Sequence, residues 1–146
     1  MAGWSAGGNL PGHGTIVIRL GIAGIGTIAN DYMALIQAGR VSGVQITALS
    51  SRSQANLERA IAVHSLGEVR LFTDYPSMLA SGLIDAVLSC TPHQEHPAMA
   101  MQAIDQGLHI LVEKPVGVDP VAVRHLVSHL AAHPQLTGGV LYNRRQ

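Results

Sequence analysis

The chain has 146 residues, and its nine Lys+Arg balance nine Asp+Glu, so the formal net charge is zero. Charged residues are 12% of the total, against ~25% in an average domain, and hydrophobic residues are 47%. A disordered chain is excluded. At roughly 100 to 200 residues per domain, one domain is expected. Aromatics at 3% and a calculated pI near 7.1 argue against nucleic acid, with neither a stacking platform nor a basic footprint. The single cysteine, Cys90, rules out an internal disulfide and a thiolate zinc cluster. A soluble cytoplasmic domain is the class that remains.

Residues 1–14 contain five glycines and Pro11, without the basic region or apolar stretch of a signal peptide, and read as a flexible leader. Residues 15–146 form the expected domain. The most apolar run, Thr15 to Ile28, is broken by Arg19 and falls short of the ~20 residues that a membrane helix needs. Its Ile16 to Ala23 portion reads as a strand with apolar residues toward both faces, as a covered parallel sheet requires. A helix follows over Thr27 to Ala38, stopped by Gly39. Val44 to Ser50 is the second strand, and Ser53 offers a cap for a helix to His64. Arg70 to Thr73 is a short third strand before a helical turn opening at Pro76.

The second half repeats the rhythm. Ile84 to Ser89 reads as a strand, His96 to Gln106 as a helix stopped by Gly107, and His109 to Val112 as another strand. Asp119-Pro120 is a strong helix opening, because aspartate caps free N–H groups and proline needs none at the first position. That helix runs to His133, and Gly138 to Asn143 is the last strand. Strand–helix alternation of this kind predicts an α/β fold with a doubly wound, mostly parallel sheet and helices on both faces.

Gly24-Ile25-Gly26-Thr27-Ile28-Ala29 is a G-x-G-x-x-A sequence between the first strand and the first helix. The first glycine permits the tight turn, the second lets a pyrophosphate reach the main chain, and the small third residue lets helix and strand pack closely. The helix N-terminus then attracts the phosphate charge. A tight strand–helix turn alone would also favour glycine, but the flanking strand and helix point to dinucleotide binding. The second strand ends in Ser50-Ser51-Arg52-Ser53, without the carboxylate that usually receives the ribose 2′-hydroxyl of NAD. Arg52 and the serine hydroxyls suit a 2′-phosphate, so NADP is expected ahead of NAD. A solvated arginine beside a helix cap is the plain alternative.

Lys114, the only lysine, lies in Glu113-Lys114-Pro115 just past a strand end. Ligands of doubly wound sheets bind beyond the carboxyl ends of strands, so Gly24, Arg52, Thr91 and Lys114 are expected to face one crevice. An ammonium there can steady an alkoxide during hydride transfer or relay a proton. A surface lysine capping a strand end is the alternative.

Gly24-x-Gly26-x-x-Ala29, Cys90-Thr91-Pro92 with His96 shortly after, and Glu113-Lys114-Pro115 together resemble the N-terminal domain of the Gfo/Idh/MocA oxidoreductases. The resemblance covers Ile18 to Arg145. It implies a Rossmann-like fold, a catalytic role for Lys114 at the hydride-transfer centre, and a nicotinamide side lined by Thr91, Pro92 and Glu113. It also places His96 near the cofactor, and Ser51-Arg52 looks like the NADP-using variant. His93 stands where family members commonly have asparagine, which puts that contact in doubt.

Family members run to about twice this length, and their second domain supplies the substrate pocket. Cofactor binding without useful turnover, and a sugar- or polyol-like substrate only with a second domain, are therefore the expectations. A standalone NADP-binding, sensing or partner-docking module is the rival reading, with self-association or a separate partner chain attached to it. Val123, Leu126, Val127 and Leu130 make the expected buried stripe of the last helix, leaving His125, His129 and His133 on its flank and outer side. No cysteine or carboxylate joins them at ligand spacing, and no metal site is expected. Cys90 is expected to be a small residue at a strand end, not a nucleophile.

Overall fold

The computed structural model describes residues 16–142, so the expected leader lies outside the described residues. Six strands alternate with five α-helices: β1 (Ile18–Ala23), α1 (Thr27–Gln37), β2 (Val44–Ser50), α2 (Gln54–His64), β3 (Arg70–Phe72), α3 (Tyr75–Leu79), β4 (Ala86–Ser89), α4 (His96–Asp105), β5 (His109–Glu113), α5 (Pro120–Ala131) and β6 (Gly138–Leu141). All strand pairs are parallel, in the order β3-β2-β1-β4-β5-β6. This is the doubly wound arrangement expected, with the reversal of strand order falling between β1 and β4.

The strands read as continuous apolar runs because both faces of the sheet are covered. On one face Ala29 and Met33 of α1 and Leu57 and Ala60 of α2 pack against Leu20, Ile22, Ile46 and Leu49. On the other, Met78 and Leu79 of α3, Ala100, Ala103 and Ile104 of α4 and Leu126 of α5 cover Val87, Ile110 and Val112. Leu111 and Leu141 stay half-buried on the first face.

The starts and stops of elements follow local chemistry. Ser53 caps α2 by accepting from the Asn56 N–H, and Asp119 caps α5 by accepting from the Val121 N–H, with Pro120 following it. A third cap, Asp74, accepts from the Ser77 N–H and opens α3 one residue before the expected Pro76. Gly39 and Gly107 take positive φ just past α1 and α4. Thr47 is skipped where Leu20 pairs with Ile46 and Gly21 with Ala48, and its hydroxyl donates to the Leu83 carbonyl.

Three expectations need correcting. Ile16 and Val17 precede the sheet and are exposed, because β2 begins only at Val44 and pairing starts when the Ile18 N–H reaches Gly43 O. The fourth strand starts at Ala86, and Asp85 before it bonds Arg19 O and the His109 N–H through its main chain while its carboxylate receives the Arg19 guanidinium at 2.9 Å. Val127 is 61% exposed and does not belong to the buried stripe of α5. That helix packs chiefly on α4, and Leu126 alone of the expected four is fully buried, which narrows its apolar face.

Candidate functional site

A cleft of about 610 Å³ opens at the carboxyl ends of β1 to β4. Gly24, Ser51, Arg52, Asp74, Thr91 and Pro92 are among its walls, with Glu95 from just before α4 and Met99 from its first turn. Main-chain hydrogen bonds carry the sheet into this rim: Gly24 N–H to Ser50 O, Cys90 N–H to Ala23 O and Ser51 N–H to Phe72 O.

The two glycines of the first turn are glycine for different reasons. Gly24 has φ +85°, and a Cβ there would come within 2.8 Å of the Cys90 carbonyl, so the protein itself forbids a side chain. A Cβ on Gly26 would meet nothing within 4 Å. Gly26 is the N-cap residue of α1, it is exposed, and no side chain caps this helix start. The open space therefore lies over uncapped N–H groups at the positive end of a helix, and a phosphate group fits that chemistry. Ile25 and Ala29 are buried beneath the turn, Thr27 is exposed and Ile28 half-buried. The Asn30 amide donates to Gly26 O at 2.8 Å, and His64 of α2 holds the same side chain at 2.7 Å from its Oδ1.

At the end of β2 the Arg52 side chain is 82% exposed and its Nη2 lies 3.1 Å from Glu95 Oε1. Ser51 Oγ accepts from the Ser53 N–H. The carboxylate absent from β2 thus arrives from another part of the chain. Glu95 lies in the one-turn 3₁₀ segment His93–Glu95, which precedes α4 and has no counterpart in the expected elements.

Behind the cleft, His96 is fully buried and ties two loops together. Its Nε2 lies 2.8 Å from Thr91 O and its Nδ1 2.9 Å from Pro115 O, so the exits of β4 and β5 are held by one ring. His93 is exposed, with its ring edge-on to His96. Thr91 Oγ1 shares a hydrogen bond with Ser89 Oγ at 3.1 Å. Glu113, at the end of β5, is 7% exposed and accepts from the Tyr32 hydroxyl at 2.7 Å. Burial first, and then the Glu113 carboxylate, push the Tyr32 phenol well above its ordinary value.

Lys114 does not line the cleft and is exposed. The expected single crevice therefore unites Gly24, Arg52 and Thr91 but leaves Lys114 outside. The physical reason is the strand order: Lys114 leaves β5, one strand beyond β4, where the walls of the cleft end. The Cys90 thiol is pushed up to about 12 by burial and then by the Glu113 charge, so it is protonated at neutral pH. Glu95, in the cleft wall, and Tyr32, the partner of Glu113, are the contacts that sequence reading missed. An acid one turn before a helix, and a tyrosine within one, carry no local signal.

No helix among the described residues is long and apolar enough to cross a membrane. Comparison with known proteins agrees with the topology. A curated relative, inositol 2-dehydrogenase 1 of Saccharopolyspora erythraea, is 27% identical over 130 residues, covering 89% of this chain and 38% of the relative. Human trans-1,2-dihydrobenzene-1,2-diol dehydrogenase is 26% identical over 113 residues, covering 77% and 33%. The crystal structure of scyllo-inositol dehydrogenase from Lactobacillus casei, with bound NAD(H) and scyllo-inositol, superposes with a TM-score of 0.79 at 28% identity. That match covers 85% of this chain and 36% of the other. The chain thus spans roughly a third of the length of these relatives. The profile of the oxidoreductase family with an NAD-binding Rossmann fold matches residues 18–138. The chain belongs to this Gfo/Idh/MocA family and carries its NAD-binding Rossmann domain.

Proposed function

We propose that the domain binds NADP(H) and serves hydride transfer to or from an alcohol carbon of a sugar- or polyol-like substrate. The pyrophosphate lies over Gly24 to Ala29, where Gly26 leaves room and Thr27 and Ile28 begin α1. Arg52 and Ser51 hold the 2′-phosphate. Thr91, Pro92, His93 and Glu113 line the nicotinamide side, and buried His96 positions the two loops that carry them. The nicotinamide ring, when bound, supplies or accepts the hydride. Lys114, the catalytic residue of this reading, hydrogen-bonds the substrate oxygen and steadies its developing charge. The observation that carries the NADP preference is the exposed Arg52 guanidinium at the cleft mouth, with no carboxylate on β2 itself.

A second reading, NAD, is favoured by one observation, the Glu95 carboxylate beside Arg52. An acid at that place accepts from a ribose 2′-hydroxyl and repels a 2′-phosphate. Calorimetric titration with NADPH and then NADH separates the two. NADPH binding at least tenfold tighter, a gap of about 1.4 kcal/mol, that collapses in Arg52→Ala supports NADP. NADH binding as tightly or more so, weakened by Glu95→Gln and untouched by Arg52→Ala, replaces that reading with NAD. No binding of either overturns cofactor binding by this chain. Because the chain spans roughly a third of its relatives' length and the substrate pocket is expected in a second domain, we expect cofactor binding without useful turnover from these residues alone. Measurable reduction of NADP⁺ with inositol by the 146-residue chain overturns that part.

A further inference from the structure

α4 starts at the cleft and ends at Asp105, so the two ends of this ten-residue helix are about 15 Å apart. At the far end Asp105 meets the last turn of α5. His129 Nε2 lies 2.6 Å from Asp105 Oδ1, although the residues are 24 positions apart. His133, four residues after His129, lies beside it with ring centroids 5.0 Å apart and ring planes tilted by 54°. One donor atom from each of Asp105, His129 and His133 lies within 4.8 Å of the other two. The helix histidines therefore do have a carboxylate partner, one that sequence spacing hides because it arrives from α4.

We propose that Asp105, His129 and His133 form a binding site for a divalent transition metal of the zinc class. The donor set is two imidazoles and a carboxylate, which suits zinc, cobalt or nickel better than calcium or magnesium. Ligand atoms around a tetrahedral ion with bonds of ~2.0–2.1 Å lie about 3.3 Å apart. His129 and Asp105, at 2.6 Å, open slightly to that spacing, and the third donor closes on them from within 4.8 Å. Room for rotation exists: the Asp105 side chain is 60% exposed and that of His129 is 27% exposed. His133 is oriented from behind, since its Nδ1 donates to the His129 main-chain carbonyl at 2.8 Å. A ring held that way in its neutral form keeps Nε2 as a lone-pair donor, the usual support of a ligating histidine. The ion takes the place of the hydrogen between His129 Nε2 and Asp105, and the neutral His129 ring keeps its one proton on Nδ1 so that Nε2 offers its lone pair. Water fills its open positions. Bound there, it staples the C-terminal end of α4 to that of α5, on the same side of the sheet and away from the cofactor cleft.

The test is zinc chloride titrated into the 146-residue chain by calorimetry, with cobalt absorption as a second readout of coordination. One equivalent of zinc and a tetrahedral cobalt spectrum are expected. Asp105→Asn, His129→Ala and His133→Ala should each weaken zinc at least tenfold, and His125→Ala should leave it unchanged. Circular dichroism and melting of the metal-free variants separate lost ligands from lost folding. Zinc should also raise the melting temperature of the wild type and not of His129→Ala. The proposal is overturned if the chain takes up no zinc, or if zinc uptake survives all three ligand variants. It is equally overturned if His125→Ala abolishes uptake while His133→Ala does not.

Discussion

The N-termini of α1 and α5 solve the same problem in opposite ways. Each leaves main-chain N–H groups without partners inside the helix. At α5 the protein closes the end itself, with the Asp119 carboxylate on the Val121 N–H and Pro120 in the first turn. At α1 the cap is Gly26, which brings no side chain, and the space above it is open. A capped end is finished by folding. An uncapped end beside a cleft, at the point where strand order reverses, is available to a phosphate. The difference separates a glycine that the fold requires from one that leaves room for a ligand, and it can be tested position by position.

The largest effect is expected at Gly24. Its positive φ and the 2.8 Å approach of Cys90 main chain mean that Gly24→Ala combines backbone strain with a clash, at a cost of about 2–4 kcal/mol. Urea unfolding checks it, and a loss under 1 kcal/mol removes the steric reading. Gly26→Ala is expected to behave differently. Replacing a glycine cap by alanine costs about 0.5–1 kcal/mol of stability, while dinucleotide affinity falls at least tenfold, read by the same titration that compares NADPH with NADH. Equal affinity in the variant would show that the open space is not where phosphate sits. Asp119→Ala should cost about 1 kcal/mol and leave cofactor affinity unchanged, the mirror image of Gly26→Ala.

The smallest effect appears only in alkali. Cys90, whose carbonyl crowds Gly24, has its thiol raised from an ordinary 9.0 to about 12 in the folded chain. Unfolded chain loses that proton first as pH rises, so stability is intact below pH 9 and declines between pH 9 and 12. Cys90→Ala should flatten part of the decline in melting temperature over that window. The share due to Tyr32 and Tyr75, whose phenols are also raised by burial, should remain. An unchanged slope would place the Cys90 thiol in water and not against the turn.

Much of the fold was legible from local pattern. Val44–Ser50 is a strand with the expected ends, Ser53 and Asp119 cap the helices they were expected to cap, and Gly39 and Gly107 stop theirs. These features depend on steric preferences and hydrogen bonds within a few residues. Errors came where a neighbour decides: Ile16 and Val17 have the composition of a strand but no strand beside them, and Val127 fits a stripe that α5 does not bury.

From the sequence alone came the order of strands and helices, the placement of the glycine turn, the lack of an acid at the end of β2 and the resemblance to an oxidoreductase family. Tertiary structure alone decided which side chains meet. It brought Glu95 to Arg52 across 43 positions, Tyr32 to Glu113 across 81 and Asp105 to His129 across 24. It also set Lys114 outside the cleft that holds Gly24, Arg52 and Thr91. The physical reason is one of range. Backbone preference and apolar periodicity act over one turn or one strand. Contacts between side chains on separate elements depend on strand order and on how each helix is rotated against the sheet, and those are settled only when the whole core packs.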